Sequence, residues 1–174
     1  MGDIEGQGAE MQFLASISQL SREDLRAKIA QFEANMKDYI QANGLPEVEL
    51  PLKHSFTDGL YVREISVKAG MLIVTKLFKQ NHATFILKGR ITVVTEDEGI
   101  KELIAPCSMI TKAGTKRALY THEDTIWITV HANPTNETDL SKIEDVVIAK
   151  TYKELGLIDP IVSSGNQRRE LCHG

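Results

Sequence analysis

The stretch Ala83-Thr84-Phe85-Ile86-Leu87-Lys88-Gly89-Arg90-Ile91-Thr92-Val93-Val94-Thr95-Glu96-Asp97-Glu98-Gly99 decides the fold. Two short β-rich runs, 83–87 and 90–95, meet at a Lys-Gly pair, and an acidic turn ending in glycine follows. Glycine in such links admits positive φ, which tight turns between twisted strands require. The same texture repeats on both sides. Candidate strands precede it at 60–67 and 72–78 and follow it at 100–104, 108–111, 117–120 and 126–131. Between them sit Lys68-Ala69-Gly70, Lys112-Ala113-Gly114 and His122-Glu123-Asp124. Short strands separated by turn signals every eight to twelve positions or so predict a compact antiparallel all-β unit, a sandwich or barrel. No intervening segment is long enough for the crossover helix of a parallel sheet.

Helical signals flank this unit. Ser21-Arg22-Glu23-Asp24 has the capping-box form, a hydroxyl followed three positions later by a carboxylate. Leu25, Ile29, Phe32, Met36 and Ile40 then recur at spacings of three and four, one stripe of an amphipathic helix. Arg26, Lys28, Glu33, Lys37 and Asp38 are assigned to the opposite face. Asn43-Gly44 supplies a left-handed stop, and Pro46 prevents resumption. Residues 1–10 read as a mobile tail, and Met11, Phe13, Leu14, Ile17 and Leu20 as a short helix or docking peptide. After the loop Ala132-Asn133-Pro134-Thr135-Asn136, a second helix is predicted from Thr138 or Asp139. It carries Leu140, Ile143, Val147 and Ile148 on one face, and Gly156 and Pro160 interrupt it. Residues 163–169 are polar and expected to be loose unless a partner orders them. The chain thus divides into a tail (1–20), an amphipathic helix (21–44), a β-barrel (50–132) and a C-terminal helix with tail (133–174).

Composition narrows the function classes. A length of 174 residues suits one domain. With 42% hydrophobic and 25% charged residues, the chain is neither wholly disordered nor collagen-like. No apolar run approaches the roughly 20 residues of a membrane span. A net charge of -4 gives no global attraction to nucleic acid or anionic lipid, so neither is expected as a partner. Cys107 and Cys172 make no CxxC pair or disulfide framework, and Met1-Gly2-Asp3-Ile4-Glu5 has no secretory-signal character. A reducing, intracellular setting is the simplest expectation.

The β unit resembles the cupin superfamily on Ala69-Gly70, Phe85-Ile86-Leu87-Lys88-Gly89, Arg90-Ile91-Thr92-Val93-Val94, Glu96-Asp97-Glu98-Gly99, Ala113-Gly114-Thr115 and Glu123-Asp124-Thr125. The resemblance covers about residues 58–132 and implies a mainly β fold, a jelly roll or double-stranded antiparallel β-helix. More narrowly, Tyr61-Val62-Arg63-Glu64-Ile65, Ala105-Pro106, Glu123-Asp124-Thr125-Ile126-Trp127 and Val130-His131-Ala132-Asn133-Pro134 resemble small cupin-like proteins encoded by tailed bacteriophages.

A working cupin holds its metal with three histidines and a glutamate. The resemblance puts those positions at Lys76, Phe78, His82 and Arg117. Only His82 is a metal donor, and two of the substitutes are cations that repel a divalent ion. No metal and no cofactor is therefore expected. A non-standard set of His82, His131 and Glu64 is the remaining metal reading, against hydrogen-bonded structural roles for both histidines. Lys76 and Arg117 in place of ligands would turn a cation site toward anions, against the plain reading that most lysines among Lys76, Lys79, Lys88, Arg90, Lys116 and Arg117 are solvated strand ends. An inward Arg117 needs an anionic partner, which the chain could supply as Glu64 or Glu123. The candidate ligand-binding residues are thus Lys76, His82, Arg117, His131 and Glu64. No nucleophile elbow or phosphate-loop spacing is present, so no catalytic residue is assigned. Trp127 reads as barrel wall or subunit contact.

The resulting expectation is a non-enzymatic phage-encoded protein, a virion or assembly component working through homo-oligomeric contacts and contacts with other virion proteins. Its setting would be the virion or the host cytoplasm. Its warrant is the lost ligand set together with two amphipathic helices that need somewhere to dock. The alternatives are a small-molecule or metal-dependent enzyme using the barrel cavity, and a phage factor binding a host protein or signalling molecule.

Overall fold

The computed structural model describes residues 20–46 and 48–162. The expectations for the 1–10 tail, for Met11 to Ile17 and for the 163–169 tail lie outside the described residues.

Helix α1 (Arg22–Ala42) starts as its capping box dictates, with Ser21 Oγ accepting from the Asp24 backbone N–H at 3.1 Å. Only the first half of its apolar stripe is deeply buried, at Leu25 and Ile29; Phe32, Met36 and Ile40 are half-buried. Arg26 corrects the face assignment. It is buried, because it reaches Glu96, seventy positions away in sequence.

Strands β1 (Leu52–Thr57), β2 (Gly59–Val67), β3 (Leu72–Val74), β4 (Leu77–Phe78), β5 (His82–Lys88), β6 (Arg90–Thr95), β7 (Gly99–Ile104), β8 (Cys107–Thr111), β9 (Arg117–Thr121) and β10 (Thr125–Asn133) follow. Helix α2 (Leu140–Val147), strand β11 (Ile148–Ala149) and a 3-10 turn at Lys153–Leu155 complete the order. Two antiparallel sheets result, β1-β2-β10-β5-β8 and β3-β9-β6-β7, with β4 and β11 pairing apart. After β5 the chain crosses to the second sheet for β6 and β7, returns for β8, crosses for β9 and returns for β10. A ribbon wound between two sheets in this way is a jelly roll.

The crossing from β5 to β6 depends on Gly89. Its φ is +98°, and a Cβ there would meet Thr125 Oγ1 at 2.5 Å and the Asp124 carbonyl oxygen at 2.8 Å. No side chain fits, so the glycine that marks the turn in the sequence also brings β6 close to the start of β10.

Three elements differ from expectation. The run 72–78 is not one strand: β3 pairs with β9, whereas β4 pairs with β11, and Thr75 and Lys76 lie between. Strand β1 was not foreseen; it pairs along the full length of 52–57 with β2 but stays largely exposed, so it carries little apolar signal. In α2, capped by Asp139, Ile143 and Val147 are buried as predicted, but Leu140 is exposed and Ile148 leaves the helix to pair with Phe78. With Tyr61 and Phe78, Ile143 and Val147 close one end of the barrel. Trp127 belongs to the central core with Ile86, Ile91, Val93 and Leu119. Among the described residues no helix is long and apolar enough to cross a membrane.

Candidate functional site

Strand β10 alternates strictly, and its buried residues Thr125, Trp127, Thr129 and His131 face the space between the sheets. Strand register sorts their neighbours into levels. At the Trp127 level stand Ile65 and Ile86, met from the second sheet by Ile91 and Leu119. One step on, Thr129 is flanked by Arg63 and Thr84. At the last level, His131 lies beside Tyr61 and against His82, with imidazole centroids 4.5 Å apart. Phe78 packs on both imidazoles, at 4.6 and 4.7 Å. A cavity of about 190 Å³ runs through the barrel, lined by Arg63, Arg117, His82 and Lys76 and by apolar Ile65, Ile73, Ile91, Leu119 and Trp127.

Arg117 enters from β9 at the middle level. Its Nη2 donates to Thr111 Oγ1 at 3.0 Å, Thr111 is hydrogen-bonded to Thr84 at 2.7 Å, and its guanidinium lies 5.7 Å from the Trp127 ring centre. Thr111 occupies one of five N–H donors. Among the described residues no carboxylate forms an ion pair with Arg117 or with Arg63. Glu98 and Glu144 act on them only from a distance, being paired with Lys101 and Lys76. Burial pushes both guanidinium pKa values below their ordinary range. Loss of water disfavours a charge that nothing nearby compensates.

The imidazoles respond to the same surroundings. His82 Nδ1 is 3.2 Å from the Gln80 carbonyl oxygen; a carbonyl only accepts, so Nδ1 carries the proton and Nε2 the lone pair. Its pKa is lowered by burial first and then by the Arg117 charge. His131, with Nε2 3.0 Å from Thr129 Oγ1, is pushed down to about 3 by burial, then by His82 and Arg63. Both rings are neutral at ordinary pH, and the charge inside the lumen is that of the two arginines, with Lys76 at its margin.

Of the predicted site residues, the structure brings His82, His131 and Arg117 together. Lys76 stands half-exposed at the margin of the cavity, 3.7 Å from Glu144. Glu64 does not belong. It sits opposite Lys53 and Ile128 on the outer face, because Tyr61, Arg63, Ile65 and Val67 take the inward positions of β2. Glu123 is no partner of Arg117 either; it lies 3.5 Å from Arg90. Sequence reasoning missed Arg63. The signal was present: Arg63 shares its parity with Tyr61, Ile65 and Val67.

A cupin-type metal does not fit these residues. With Glu64 outside, the proposed three-ligand set is not assembled, and among the described residues no cluster of three His, Cys, Asp or Glu side chains exists. The positions around His82 carry guanidinium groups, which repel a cation.

No sequence family and no curated protein matches the chain. Solved structures similar to it include a cupin-2 domain protein from Shewanella frigidimarina, at 7% identity over 55% of this chain and 92% of that one, with TM-score 0.41. KdgF from Halomonas is similar at 14% identity, over 55% of this chain and 90% of that one, with TM-score 0.44. Salicylate 1,2-dioxygenase from Pseudoaminobacter salicylatoxidans is similar at 12% identity, over 66% of this chain and 33% of that one, with TM-score 0.45. Nothing about activity follows from likenesses at this level; the jelly roll itself is read from the strand order.

Proposed function

We propose that this protein binds a small organic anion inside its barrel, between Arg63 and Arg117. One observation carries the reading: two arginines line the same small cavity, and neither has a carboxylate partner among the described residues. A buried charge without a counter-charge costs several kcal/mol, and a bound anion supplies what the chain does not. A guanidinium fork suits a carboxylate, whose two oxygens accept parallel N–H bonds. The assembly reading rested partly on helices in need of a docking surface. Here α1 sits against the barrel through Arg26 and Glu96, and α2 closes one of its ends.

The test is calorimetric and thermal titration of dialysed protein with acetate, butanoate and phosphate at constant ionic strength. Saturable binding is expected, with stabilisation of about 2.7 kcal/mol at a hundredfold excess over Kd. The Arg117→Met variant should keep the wild-type circular dichroism spectrum and lose the response. If no anion shifts the transition, or if the variant responds as wild type does, the proposal is wrong.

A further inference from the structure

We infer that the anion is a short-chain monocarboxylate, its head held at the Arg63–Arg117 level and its aliphatic chain lying along the Trp127 level. This rests on the anion-binding reading above and narrows it to a chemical class. The lumen is zoned along its axis. Arg63 stands opposite Thr129, and Arg117 donates to Thr111, the hydrogen-bond partner of Thr84 on that level, with its guanidinium 5.7 Å from the Trp127 ring centre. The neighbouring level of Ile65, Ile73, Ile91, Leu119 and Trp127 contributes no charged side chain of its own.

That zoning discriminates between acids. A dicarboxylate too long to set one head on each guanidinium would put its second charge against the apolar level, where no side chain pairs it. A hydroxylated acid needs hydrogen-bond partners there, and the hydroxyls beyond that level are already committed. Thr121 Oγ1 donates to the Lys68 carbonyl at 2.6 Å and accepts from the Met71 N–H at 2.9 Å, while Thr125 Oγ1 donates to the Glu123 carbonyl at 2.9 Å. Phosphate would engage the arginines and leave the apolar half of the cavity unfilled. An alkyl chain buries against the side chains that are there.

Volume sets the length. An apolar cavity of about 150 Å³ admits a benzene-sized guest of six heavy atoms. The 190 Å³ of this lumen therefore suits about seven or eight, a five- or six-carbon acid.

The experiment is a titration of the full chain with the unbranched acids from formate to octanoate, with succinate, phosphate and 1-hexanol alongside. Affinity should rise about fourfold per methylene, peak at pentanoate or hexanoate, and fall for octanoate, while 1-hexanol competes poorly. In Ile73→Phe, which fills the apolar level, the optimum should move to a shorter acid. The series on the unaltered protein decides the matter if that variant does not fold. Formate or phosphate binding as tightly as pentanoate, or succinate binding more tightly, overturns the class assignment and leaves the anion site standing. Binding by none of the anions removes both.

Discussion

Arg26 and Arg117 are almost equally hidden from solvent, 8% and 6% exposed, yet they occupy opposite situations. Arg26 makes a fork to Glu96, with Nε to Oε2 at 2.5 Å and Nη2 to Oε1 at 3.0 Å, and lies 4.8 Å from the Tyr152 ring centre. The Glu96 contact raises its pKa. Arg117 has a threonine and an indole face, and burial lowers its pKa. One arginine ties a helix to the barrel through the chain's own carboxylate. The other offers its unused donors to the lumen. What separates them is the presence of a counter-charge, which neither residue type nor solvent exposure reveals.

The contrast is most exposed to failure at Glu96. Glu96→Ala strands a buried guanidinium, and urea denaturation should record a loss of about 3–5 kcal/mol. Replacing Arg26 and Glu96 together by methionine should recover most of it. A small loss in the single variant would mean that the pair is not what holds α1.

The neutral histidines give the next largest effect. In the unfolded chain they titrate near 6.5, whereas folded His131 titrates at about 3. Between those values the unfolded state holds more protons, so stability is present above 6.5 and is lost as pH falls toward 3. The slope is up to about 1.4 kcal/mol per pH unit for each histidine. Parallel denaturation series of wild type and His131→Phe should diverge over that window, and equal slopes would refute a buried neutral His131.

Arg117→Met should act in the reverse direction to Glu96→Ala. In anion-free buffer it removes an uncompensated charge, and a gain of about 1 kcal/mol is expected in the same denaturation assay. A loss as large as that of Glu96→Ala would show that Arg117 is structural after all. The smallest effect marks the exposed limit: Lys37→Ala breaks a surface pair with Glu33 at 2.9 Å and should cost only about 0.3–0.5 kcal/mol.

Much of the fold was legible because its signals are local. Strand β6 coincides with the predicted 90–95, Gly89 sits at the crossing it announces, and Ser21 caps α1. The site was half legible. His82 lies against His131 and lines one cavity with Arg117, whereas Glu64, the third member of the metal reading, sits on the outer face, and Arg63, no candidate of the sequence, lines the cavity. Alternation in Tyr61-Val62-Arg63-Glu64-Ile65 tells which residues share a face, and both faces mix apolar with charged positions. The break at Thr75-Lys76 was hidden for a similar reason: the apolar run continues while the pairing partner changes.

From the sequence alone came the periodicities, the turns and the caps, since each depends on a few neighbouring residues. Only the folded chain decided which of its arginines met a carboxylate. Arg26 reaches Glu96 across seventy positions, and Arg63 shares a cavity with Arg117 from the opposite sheet. Coulomb and desolvation energies depend on distance in space and on the water removed, and neither is encoded in separation along the chain.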